Sequence, residues 1–179
     1  MGTIRHGALT EPIAAALRSL VEDRPNWRVY NDHTGASRQR LWAHLDAQPH
    51  RWNILSGVDI LLGDAESGMA LLVLEIEETA CSPKKLLGDI LALALAEHVT
   101  TESDDRPYAI TPETELWVCY PANPRGHQRP RNRRLLAQLS EAWGAGAPLP
   151  RIRLVEADHP ATLEDAVTTA LEEWAGVTR

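Results

Sequence analysis

The stretch Ala70-Leu-Leu-Val-Leu-Glu75-Ile-Glu77-Glu-Thr79 decides how this chain is read. It begins as an apolar strand and ends in acids. Glu75 and Glu77 stand two apart, so on a strand they share a face, while Ile76 points to the other. The run just before it, Val58-Asp59-Ile60-Leu-Leu62, also reads as a strand, and Gly63-Asp-Ala-Glu-Ser-Gly68 as a turn. The two strands make a hairpin. Folding it about Glu66–Ser67 brings Asp59 opposite Glu75.

Three converging carboxylates repel one another. Asp59, Glu75 and Glu77 make physical sense together around a hard divalent cation, Mg²⁺ or Mn²⁺, which favours oxygen ligands. Such an ion polarises a phosphodiester and lowers the pKa of a bound water. The competing reading is a solvated strand face. The apolar flanks weigh against it, because unpaired carboxylates in such a strand are costly. Ser82 and Pro83 mark the start of the next helix, Ser as cap and Pro in the first turn. Lys85, in that first turn, is placed to orient water or stabilise phosphate charge, with Lys84 as the fallback. Asp89, four residues on, is expected to partner Lys85 rather than to hold metal.

Outward from this centre the pattern predicts a helix from Glu11 to about Glu22, capped by Thr10, and a short strand at Trp27–Tyr30. Leu41, Trp42 and Leu45 suggest a helical turn. The helix after Pro83 is apolar nearly all round and is expected to reach about His98, followed by an acidic loop over Thr100–Pro112. Strands are predicted at Glu115–Tyr120 and Arg151–Glu156, helices at Arg131–Trp143 and Thr162–Trp174, and a linker at Gly144–Pro150. The expected fold class is α/β: one domain over 1–179, with a mixed central sheet, an antiparallel hairpin and helices on both faces.

The net charge of −7 weighs against a nucleic-acid partner, but its distribution matters more. Arg125, Arg129, Arg131, Arg133 and Arg134 fall in one segment without an acid, at the start of an expected helix. They suit phosphate oxygens; the alternative is a solvated loop whose arginines pair the surplus acids. Six tryptophans are expected to fill the core, since the chain has no Phe, though Trp42 and Trp52 could instead contact DNA. Cys81 and Cys119 have no CxxC partner, so neither a disulfide framework nor a zinc site is expected. No Walker loop, Rossmann fingerprint or nucleophile elbow is present. Neither a membrane span nor the apolar stretch of a secretory signal is seen, so a cytoplasmic protein is expected.

The carboxylate pattern resembles the PD-(D/E)XK nuclease superfamily, whose restriction-endonuclease-like core is an α-β-β-β-α-β unit. The first acid of that family lies on the second strand, and the (D/E)-X-K element on the third. Val58-Asp59-Ile60 and Glu75-Ile76-Glu77 match these two elements. Glu77 stands where the family usually has lysine, a Glu-X-Glu variant, and Lys85 fits a lysine relocated to the following helix. The resemblance implies a Mg²⁺- or Mn²⁺-dependent endonuclease acting on DNA in restriction or defence, with Asp59, Glu75, Glu77 and Lys85 catalytic. It also makes a homodimer plausible. The rival is a non-catalytic module that keeps the fold and binds nucleic acid or protein.

Overall fold

The protein is represented by a computed structural model that describes residues 7–32, 40–46, 53–79, 82–122, 134, 137–138 and 151–177. Helix α1 (Thr10–Leu20) leads to strand β1 (Trp27–Asn31), then β2 (Leu41–His44), β3 (Ile54–Gly57), β4 (Ile60–Asp64) and β5 (Met69–Ile76). Helix α2 (Pro83–Leu95) follows, then β6 (His98–Thr101), β7 (Asp104–Ala109), β8 (Glu115–Pro121), β9 (Arg151–Ala157) and α3 (Leu163–Val177). The expected helix at 131–143 and the linker after it lie almost wholly outside the described residues. Among the described residues, no helix is long and apolar enough to cross a membrane.

A five-strand spine runs β1-β4-β5-β8-β9, antiparallel up to β5 and parallel beyond it. A second group, β7-β6-β2-β3, is antiparallel throughout and joins β5 through the pair Met69↔Ala109. The result is a mixed α/β fold on an open, mostly antiparallel sheet. Alternation along the spine sorts its side chains. Ile60, Leu62, Leu72, Leu74 and Trp117 pack under α1 and α3; Leu61, Val73, Leu116 and Val118 pack under α2. Burial on both faces explains why these strands read as nearly continuous apolar runs.

Several expectations need correcting. Thr10 does not cap α1; it is buried within the helix, and the cap position falls to Leu9, whose side chain has nothing to offer. The Glu78 carboxylate does the work instead, accepting from Gly7 N at 2.9 Å and Leu9 N at 2.7 Å. Leu41–His44 is a strand, not a helical turn, because β3 and β6 both hydrogen-bond to it. α2 stops at Leu95, with Ala96 already extended, and the supposed acidic loop after it is the β6–β7 hairpin. The β2–β6 ladder sets His44 opposite His98, on the face turned away from α2. Burial lowers the His44 pKa; the Asp46 carboxylate opposes this and His98 adds to it.

Gly63 ties the two strand groups together. The buried Tyr108 ring of β7 lies against it, and a Cβ there would come within 2.4 Å of Tyr108 Cε1. That ring cannot swing aside: its hydroxyl lies 2.7 Å from Tyr30 Oη and donates to Asp104 Oδ2 at 3.1 Å. Gly63→Ala should therefore cost about 2 kcal/mol through overpacking. Urea denaturation checks this, and a wild-type midpoint would show that Tyr108 is free to move.

Candidate metal centre

The site forms where β4 begins and β5 ends. Asp59 immediately precedes β4, and its backbone N donates to Leu74 O at 3.2 Å. That bond is one residue out of the Ile60↔Leu74 register, so the regular ladder ends at Ile60, yet Asp59 still lies near enough to Glu75 for its charge to act on it. The Asp59 side chain turns back on the strand, with Oδ2 accepting from Ile76 N at 2.7 Å. One irregularity in the hairpin matters. Leu62 pairs with Leu72 but Gly63 with Ala70, so Leu71 is a bulge residue. Beyond it Leu72, Leu74 and Ile76 take the α1/α3 face, and by alternation Glu75 takes the face of α2. Past the strand end, Glu77 N still bonds Cys119 O of β8 at 2.7 Å, which fixes Glu77 on the same side.

Helix α2 closes over this face. Ser82 Oγ accepts from Lys85 N at 3.2 Å and Pro83 occupies the first turn, as read from the sequence. The cap aims the first two turns at the end of β5. Lys85 Nζ forms an ion pair with Glu77 Oε1; Glu77 is only 5% exposed, whereas the lysine is half-exposed. One turn on, Asp89 enters the same space. One carboxylate oxygen each from Glu75, Glu77 and Asp89 lies within 4.8 Å of the others.

The electrostatics match this crowding. Burial first, then the charges of Asp59, Asp89 and Glu77, push Glu75 up to about 9, with Lys85 opposing. Asp89 rises to about 6 through burial and its contact with Glu77. Burial pulls the Lys85 ammonium down, but its bond to Glu77 and the charges of Asp89 and Glu75 outweigh this and hold it above its usual value. Asp89 Oδ2 is buried and has no hydrogen-bond partner. A group of carboxylates short of both positive charge and donors fits a hard cation bound through oxygen.

Glu75 and Glu77 thus converge as the sequence suggests, and Lys85 reaches them. Asp59 borders the cluster and acts on it electrostatically, but the oxygens that converge most closely are those of Glu75, Glu77 and Asp89. The sequence alone suggests Asp89 as a partner of Lys85 rather than as a ligand. Its one legible signal is that it is the single acid of α2, one turn beyond Lys85. Lys84 is exposed. Arg134 is exposed too, while Arg125, Arg129, Arg131 and Arg133 lie outside the described residues, as do Trp52 and Cys81. Cys119 is a buried free thiol, and burial raises its pKa. No family model matches the chain, and no curated protein and no solved structure matches it.

Proposed function

We propose that this chain is a metal-dependent nuclease that hydrolyses phosphodiester bonds in DNA, as a restriction or defence-type endonuclease. The observation that carries this reading is the meeting of Glu75, Glu77 and Asp89, with Lys85 on Glu77. The topology is consistent with a restriction-endonuclease-like core. With the β2–β3 and β6–β7 hairpins set aside as insertions, the order is α1-β1-β4-β5-α2-β8. The first acid then stands at the start of the second spine strand, and Glu75-Ile-Glu77 spans the end of the third.

Glu75, Glu77 and Asp89 would hold Mg²⁺ or Mn²⁺, with Asp59 tuning their charge from beside them. The ion would supply Lewis acidity toward a phosphate oxygen and a water acidified for attack. The remaining work falls to the chain. Glu77 keeps Lys85 charged and at the site, where its ammonium can neutralise negative charge developing on the phosphate. α2 and β5 exclude bulk water from one side, which strengthens that interaction. The arginines from Arg125 to Arg134 would contact the DNA backbone.

Duplex and single-stranded DNA incubated with Mg²⁺ or Mn²⁺ test the reading. Wild type should nick or cut, and Glu77→Ala should lose at least about 100-fold in rate. Cleavage by Glu77→Ala at the wild-type rate would remove Glu77 from the site. DNA binding without cleavage in either metal would identify a non-catalytic module that retains the fold.

A further inference from the structure

A second set of ligating atoms lies on the β7-β6-β2-β3 group, apart from the acidic centre and independent of its function. His44 and His98 are direct cross-strand partners in the β2–β6 ladder. Such partners share a face, with Cβ atoms about 5 Å apart. His44 is 3% exposed and His98 is half-buried. His44 Nε2 lies 2.8 Å from Thr100 Oγ1, two residues along β6 from His98 and on the same face. With Nε2–H donating to that hydroxyl, Nδ1 carries the ring's lone pair. The Nδ1 atoms of both histidines are buried, and neither has a hydrogen-bond partner.

A buried polar atom left unpaired costs about 1–3 kcal/mol, and here two of them fall on directly opposed residues. We propose that His44 and His98 form a cross-strand site for a borderline divalent transition metal, represented by Zn²⁺, bound through Nδ1 of each ring. Imidazole nitrogen suits such ions better than it suits Mg²⁺. A ligating histidine is commonly oriented by a hydrogen bond from its other ring nitrogen, which is the part Thr100 plays for His44. Asp46 adds favourable charge. Its carboxylate acts on His44 and is itself held by Asn53 Nδ2 at 2.8 Å. Water would complete the coordination. The two centres divide by ligand chemistry: oxygens between β5 and α2 for a hard ion, nitrogens between β2 and β6 for a softer one.

The test is a Zn²⁺ titration of the full chain in excess Mg²⁺, followed by long-range ¹H–¹⁵N spectra of the imidazoles. A single equivalent of Zn²⁺ should shift the Nδ1 resonances of His44 and His98. His44→Gln and His98→Gln should each weaken zinc binding at least about tenfold, and Glu77→Gln should leave it unchanged. An unshifted Nδ1 at either histidine in the wild type would overturn the proposal. So would wild-type zinc affinity in His98→Gln. Should the buried His44→Gln variant fail to fold, the wild-type spectra and His98→Gln decide.

Discussion

In metal-free buffer the protein should lose about 2 kcal/mol of stability as the pH rises from about 7 to about 9, and Glu75→Gln should remove most of that loss. The sign follows from where the proton sits. Glu75 has an ordinary value of 4.5 and is pushed up to about 9 in the folded chain, by burial first and then by Asp59, Asp89 and Glu77. Between those values the folded state keeps a proton that the unfolded state has released, so raising the pH favours unfolding. The full slope for one group is about 1.4 kcal/mol per pH unit. Of the other shifted groups, Cys119, raised by burial from 9.0, adds a smaller loss of the same sign at the top of the window, which Glu75→Gln leaves in place. His44 is lowered from 6.5 and would give the opposite slope, at lower pH. Asp89, at about 6, has finished titrating. The stability that Lys85 gains from its partners is lost only above 10.5. Denaturant midpoints measured across the window in the presence of a chelator give the answer. A flat wild-type profile would show that Glu75 is ionised without help. Saturating Mn²⁺ should flatten the wild-type slope, because a cation takes the place of the proton.

Asp89→Asn should lower Mn²⁺ affinity by more than about 100-fold and cleavage by at least as much, whereas Asp59→Asn should cost only about tenfold in affinity. The contrast rests on position. Asp89 joins Glu75 and Glu77 within 4.8 Å, and its Oδ2 has no hydrogen-bond partner. Asp59 spends Oδ2 on the Ile76 amide, a bond that the carbonyl oxygen of asparagine can keep. Asp59→Asn therefore removes a neighbouring charge and leaves the strand end intact. Mn²⁺ titration and single-turnover cleavage of both variants separate the cases. Wild-type affinity in Asp89→Asn beside a severe loss in Asp59→Asn would restore Asp59, Glu75 and Glu77 as the ligands.

The contrast between those aspartates also marks how far the sequence can be read. The β4–β5 hairpin, the Ser82 cap, β8, β9 and α3 were legible because each carries its own signal: alternation, a turn, a cap or helical spacing. Glu75 and Glu77 were legible for the same reason, since their shared face is a local property. Leu41–His44 was not. Its burial follows from pairing with β3 and β6, and three apolar residues among polar ones fit a helical turn equally well. The β6–β7 hairpin was hidden by its acids and by Pro107, which a strand tolerates only where pairing is sparse. Nothing local ends α2 at Leu95; His98 leaves the helix because β2 and β7 recruit it. Asp89 depended on long-range geometry in the same way, since its role appears only once α2 lies across β5.

Adjacent glutamates with opposite orientations have a consequence for the order of folding. Glu77 faces Lys85 while Glu78 clasps the start of α1, so neighbours in sequence bind partners on opposite sides of the sheet. The Glu78 bonds close loops of 69 and 71 residues, and Glu77 is anchored to Cys119. Contacts of such long range form late, after loop-closure entropy has been overcome by the sheet and its two cores. The clustered acids are a different case: Asp59, Glu75, Glu77 and Asp89 all fall in one continuous stretch, from just before β4 through β5 into α2, so they are close neighbours in the chain before α1 is clasped. Their mutual repulsion is therefore met when α2 docks on β5, and the apolar face that α2 buries against the sheet has to hold them together from that point.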